Sequence, residues 1–195
     1  MGSSRMASDQ KKARRLNATI AFADESGFLM APLVRSTWAP RGKTPILRQR
    51  GRSHTKMSVI GAICTTATGK RSRLYFRIHQ ERNINAPLCA DFLRQLRQNI
   101  RGNIILVWDR LSVHRSRTVA AVIAKDRRIW LEYLPPYAPE LNPIESAWGY
   151  AKGSTANHAP VDADELFETT KNALCRTRRK KNLLHSFIDH SGLIF

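Results

Sequence analysis

Three acidic side chains stand where this sequence could do chemistry. Asp24 closes the run Thr19–Asp24, Asp109 closes the run Ile104–Asp109, and Glu145 follows a proline-rich stretch that ends at Pro143. Carboxylates brought to one point repel one another, and an ion pair or a divalent cation is the usual relief. Cleavage of a phosphodiester needs an activated water or hydroxyl, an in-line leaving oxygen and compensation for developing negative charge. Two Mg²⁺ or Mn²⁺ ions about 4 Å apart do all three. Hard ions take oxygen ligands, so Asp and Glu serve without cysteine or histidine.

Each of these residues also has an ordinary reading. Asp24, in Asp-Glu-Ser-Gly, is a good turn former. Asp109 precedes Arg110 and would make half of a simple ion pair. Glu145 lies three residues after Asn142, with Pro143 at the first helical position, which is the spacing of a capping box. Lys152 is seven residues beyond Glu145 on the same helix face, past Trp148 and Gly149. It would grip phosphate beside a metal there, or simply be solvated. His114, five residues after Asp109, reads as a satisfied loop histidine or as a contact of the site.

Charge indicates the partner class. Among 195 residues, 33 Lys and Arg face 15 Asp and Glu, a net +18. Such an excess is costly through self-repulsion unless a polyanion relieves it. Basic residues fall in blocks at 11–15, 48–56, 70–77, 94–101 and 176–181. Nucleic acid fits, because each neutralised phosphate releases counterions. Arg94, Arg97, Arg110, Lys152, Arg178, Arg179 and Lys180 are the candidate phosphate contacts. A basic surround with an acidic centre is more informative than either half.

Composition removes other classes. A hydrophobic fraction of 42% argues against wholesale disorder. No apolar run approaches the roughly 18 residues of a membrane span, so no membrane partner is expected. The first 17 residues lack the apolar core of a secretory signal. Cys64, Cys89 and Cys175 form no C-x-x-C pair, which disfavours a disulfide framework or structural zinc and points to a reducing, cytoplasmic setting.

The elements that must position the acids follow from periodicity. Residues 1–16 read as a basic, flexible tail, and 17–195 as one domain with a C-terminal helical basic segment. Thr19–Asp24 alternates, with Ile20, Phe22 and Asp24 on one face, before a turn at Glu25-Ser26-Gly27. Ser36–Gln49 suggests two short strands around a tight turn. Met57–Thr65 and Leu74–His79 form a hairpin about Gly69. Leu88, Phe92, Leu96 and Ile100 mark an amphipathic helix, with Arg94, Arg97 and Arg101 towards its polar side. Ile104–Asp109, apolar on both faces, reads as a central strand. Ser116 caps a helix, Ile129–Leu134 is a further strand, and Pro143 opens another helix. A last helix starts at Asp162 or Asp164, followed by a basic run and an apolar end. The order predicts an α/β mixed sheet covered by helices. If the strands ending in Asp24 and Asp109 are parallel neighbours, their carboxyl ends meet where open sheets place their sites.

The strings FADESGF (22–28), TWAPRGKTP (37–45), ILVWDRLSVHRS (105–116) and LPPYAPELNPIESAWGYAK (134–152) resemble bacterial insertion-sequence transposases of the mariner superfamily. These are DDE enzymes with a ribonuclease-H-like core, and the resemblance runs from about residue 12 to 190. It implies that Asp24, Asp109 and Glu145 are the catalytic, metal-binding acids; 35 residues separate the last two, close to the usual spacing. It also implies two Mg²⁺ or Mn²⁺ ions, nicking at transposon ends and attack of the freed 3′-hydroxyl on target DNA, typically at TA. Asp24 and Asp109 would hold metal throughout, and Glu145 would complete one ion's shell. Arg110-Leu111 replaces the Asn-Ala of many relatives. Such transposases usually carry an N-terminal helix-turn-helix region, while a short basic tail precedes Asn17 here. End recognition would then fall to a separate helix-turn-helix subunit, unless the chain is a truncated remnant. Synapsis of two ends implies a homodimer on nucleoid DNA. Two alternatives stay open: a basic DNA-binding relic, and a ribonuclease-H-like nuclease without transposition.

Overall fold

Alternation of apolar side chains along β1 (Thr19–Leu29) organises the molecule. Ile20, Phe22 and Phe28 pack into one buried cluster, while Ala21 and Ala23 belong to the other, as a two-residue period requires. The computed structural model describes residues 11–31, 33–46, 55–136 and 138–192. β2 (Lys56–Thr65) and β3 (Ser72–Gln80) continue from β1 as an antiparallel meander. β4 (Ile104–Trp108) lies parallel to β1 on its other side, and β5 (Ile129–Tyr133) parallel to β4. The mixed sheet has the order β3-β2-β1-β4-β5.

Helices cover both faces. Residues 11–16 form a short helix, α1. α2 (Ala86–Asn99) and α3 (Arg117–Lys125) pack Cys89, Phe92, Leu93, Leu96 and Val119 against Ile60, Ala62, Leu106 and Trp108. On the opposite face α4 (Pro143–Ser154), α5 (Ala163–Arg179) and α6 (Lys181–His190) set Ile144, Trp148, Leu174, Leu184 and Ile188 against Ile20, Phe22, Ile63 and Val107. Each such large side chain contributes about 1.5–3 kcal/mol on burial. Caps set the ends: Asn85, Ser116 and Asp162 accept backbone N–H groups at the starts of α2, α3 and α5. Among the described residues no helix is long and apolar enough to cross a membrane, and all three cysteines are free thiols.

Three expectations are corrected. Glu25-Ser26-Gly27 is not a turn: β1 runs on to Leu29, because β2 supplies ladder partners as far as Lys56. Residues 36–46 contain no strand, since Pro40 and Pro45 lack the N–H a ladder needs; residues 47–49 lie outside the described chain. The expected flexible tail is ordered from residue 11, with Ala13 buried and Lys12 bonded to Glu132 at 2.6 Å; residues 1–10 lie outside the described chain. The C-terminal segment continues beyond Arg179 as the helix α6, whose Leu184 and Ile188 fill the core.

Candidate active site

Register brings the first two acids together. β1 and β4 pair in parallel up to Phe22 with Val107, and Asp24 and Asp109 each stand two residues beyond that couple. Both reach the same edge of the sheet. The chain turns back from β5 through the proline-rich loop and a 3₁₀ turn (Pro139–Leu141) into α4, whose first turn carries Glu145. Asn142 ties this junction down by donating its Nδ2–H to the Ala23 carbonyl at 3.4 Å. Asp24, Asp109 and Glu145 thus line one open cleft, with Arg110, Leu134, Pro135 and Asn142.

The cleft is electrostatically strained. Asp24, 9% exposed, has its carboxyl pushed up to about 8, first by burial, then by the negative charges of Glu145, Glu25 and Asp109, against a lowering bond from the Glu25 backbone. The Trp148 indole donates to Asp24 Oδ2 at 3.2 Å. Oδ1 of Asp109 accepts from the Leu111 N–H at 3.0 Å and from His114 Nδ1 at 2.5 Å. Asn142 Oδ1 is buried with no donor among the described residues. Three carboxyl groups and the Asn142 oxygen thus outnumber the one cation of the described lining, Arg110, which suits a hard divalent cation.

His114 lies on the reverse side of this acid pair. Its Nε2 meets both Glu25 carboxylate oxygens at 3.0 Å, and its ring stacks on Trp108 at 3.9 Å. Burial alone would lower the His114 pKa, but the bond and charge of Glu25 and those of Asp109 outweigh it, and the net shift is upward. The partner of Asp109 is thus His114, not Arg110. The capping box does not form either, since α4 has no side-chain cap bond.

The basic candidates scatter. Arg110 lines the cleft, its guanidinium 5.7 Å over the Tyr133 ring. Lys152 sits over Phe28 at 5.6 Å and lines a different cavity with His158 and Thr170, so the structure does not bring it to the acids. Arg94 pairs with Asp91 on α2, at the far side of the sheet. Arg97, its side chain 11% exposed, bonds Asp126 at 2.7 Å and the Ile100 carbonyl, so it is committed within the fold rather than offered to phosphate. Arg178 covers Phe76, Lys180 bonds the Tyr150 hydroxyl at 2.5 Å, and Arg179 is exposed. Glu25 was missed by sequence reasoning; its signal was the strand period, which sends it to the face opposite Asp24.

The sequence pattern of the DDE superfamily endonucleases matches residues 19–167, a span that holds all three acids. The chain belongs to that family. No curated protein matches it. Among solved structures, this DDE domain is similar to the Mos1 mariner paired end complex with Mn, with a TM-score of 0.62 and 16% identity over 97% of this chain and 59% of that one. It is similar to the Mos1 transposase catalytic domain with Raltegravir and Mn, with a TM-score of 0.57 and 15% identity over 97% and 88%. It also matches a chain of the simian T-cell lymphotropic virus intasome in complex with PP2A regulatory subunit B56 gamma, at a TM-score of 0.53 and 10% identity over 81% and 47%. The DDE domain therefore spans about three-fifths of the Mos1 chain in the paired end complex. At these identities the likeness is one of fold, and the fold is ribonuclease-H-like.

Proposed function

We propose that this domain cuts the ends of an insertion-sequence transposon and joins the freed 3′-hydroxyl to target DNA, with Mg²⁺ or Mn²⁺ as cofactor. The observation that carries the reading is the convergence of Asp24, Asp109 and Glu145, from three separate elements, on one cleft. Asp24 and Asp109 would hold metal throughout, and Glu145 would complete the shell of one ion. When bound, two such ions supply an activated water or hydroxyl and neutralise charge on the phosphate. The chain's own residues orient the ligands. Trp148 holds Asp24, Leu111 and His114 hold Asp109, and Arg110 stands in the cleft to take a phosphate. Arg178, Arg179 and Lys180 would extend the contact along DNA. Similar structures crystallised with Mn, Mg and a transposon end support the choice of metal and partner. A helix-turn-helix subunit and a second copy of this chain would complete end recognition and synapsis.

The test is incubation of the purified chain with labelled transposon-end DNA and Mn²⁺, beside Asp109→Asn. Metal-dependent nicking lost in the variant is the expected result. DNA binding without nicking would mark a relic, and faster cutting of an RNA–DNA hybrid would mark a ribonuclease. Either outcome would overturn the proposal.

A further inference from the structure

Asp24 and Glu25 are neighbours on β1 whose side chains leave the sheet on opposite faces. Asp24 lines the acidic cleft, while Glu25 accepts from Cys89 Sγ on α2 at 3.7 Å and meets His114. His114 is 1% exposed and uses both ring nitrogens, Nδ1 on Asp109 and Nε2 on Glu25. One ring therefore bridges the two carboxyl groups and fixes the position of one relative to the other. Trp108 stacks on the ring and blocks its rotation. The ligating atoms of Glu25, Cys89 and His114 also lie within 4.8 Å of one another, but hydrogen bonds inside the trio already satisfy all three.

We propose that Glu25 and His114 are positioning residues for Asp109: Glu25, anchored behind the sheet, fixes through the His114 ring the carboxylate that receives the cation. This rests on the reading of Asp109 as a metal ligand. Asp109 follows the end of β4 and its side chain is 39% exposed, so nothing in the strand ladder holds its rotamer. The Leu111 N–H and His114 both bond Oδ1, which leaves Oδ2 as the oxygen a ligand can engage. Glu25 balances a ring that would otherwise sit buried against one exposed acid. Partners that orient a metal ligand typically change metal affinity by about 10–100-fold when removed.

The experiment titrates the purified full chain with Mn²⁺, reading free Mn²⁺ by electron paramagnetic resonance, with a thermal melt to confirm folding. Glu25→Ala should weaken Mn²⁺ binding by about 10–100-fold. Glu25→Gln, whose side-chain carbonyl still accepts from Nε2–H, should recover most of that loss. In a His114→Ala background, Glu25→Ala should cost nothing further, because its effect passes through the ring. Wild-type affinity in Glu25→Ala, or losses that simply add, would overturn the relay; if His114→Ala does not fold, the two Glu25 variants still decide. Unchanged Mn²⁺ binding in Asp109→Asn would instead overturn the metal-ligand reading beneath it.

Discussion

Trp148 meets Asp24 with one end and Gly61 with the other. Its Nε1–H donates to Asp24 Oδ2 at 3.2 Å, and its ring fills the space over Gly61, the residue paired with Asp24 across β1 and β2. A Cβ on Gly61 would lie 2.7 Å from that ring and 2.8 Å from the Tyr75 carbonyl. The glycine therefore sets how closely α4 approaches the sheet, and with it where Glu145 stands relative to Asp24.

Gly61→Ala should accordingly destabilise the protein by about 1–3 kcal/mol, the cost of overpacking a filled core. Urea unfolding measures it. The same variant should bind Mn²⁺ more weakly, because the indole and the first turn of α4 shift together. Wild-type stability would show that the ring has room to move.

Trp148→Phe keeps an aromatic ring in the core and removes the donor. Taking one partner from a buried, hydrogen-bonded acceptor costs about 1–3 kcal/mol. The Asp24 carboxyl should then ionise with still more difficulty, which a pH titration of Mn²⁺ affinity would register as a shift of its midpoint to higher pH. An unmoved midpoint would mean that the indole bond does not support the charged form.

The raised carboxyl of Asp24 has a pH signature. The folded protein holds this proton more tightly than the unfolded chain, whose Asp titrates near the ordinary 3.8. The stability it contributes is full below 3.8 and is lost as the pH rises to about 8. The melting temperature of metal-free wild type should therefore fall between about pH 5 and pH 8 more steeply than that of Asp24→Asn. Added Mn²⁺, which favours the ionised carboxylates, should raise the wild-type midpoint more at the upper pH. Parallel curves for the two proteins would remove Asp24 as the source.

Arg97 and Arg110 should part company. Arg97→Ala breaks a mostly buried ion pair and a carbonyl contact at the α2 terminus, so stability should fall by about 1–3 kcal/mol while the salt dependence of DNA binding stays put. Arg110→Ala should do the reverse: folding intact, and a slope of affinity against log salt shallower by about one unit. Equal salt slopes in both variants would reject Arg110 as a phosphate contact.

The sequence by itself determined most of the elements and pointed to three acids. Alternation in Thr19–Asp24, the doubly apolar Ile104–Trp108 and the i, i+4 series from Leu88 to Ile100 are local patterns, and local patterns report which face of an element is buried. They were enough to anticipate a mixed sheet with helices and to set Asp24 and Asp109 at strand ends, while the resemblance to mariner-superfamily transposases implied that these two act with Glu145. The tertiary structure decided what those residues touch. Trp148 reaches Asp24 across 124 positions, His114 reaches Glu25 across 89, and Asn142 leaves its cap to hold the Ala23 carbonyl. Such distances depend on strand order, register and the glycine-sized gap under α4. None of these is written in the periodicity of a single segment. The same reason explains Arg97, polar by its place on α2 yet captured by Asp126 once α2 and α3 packed together.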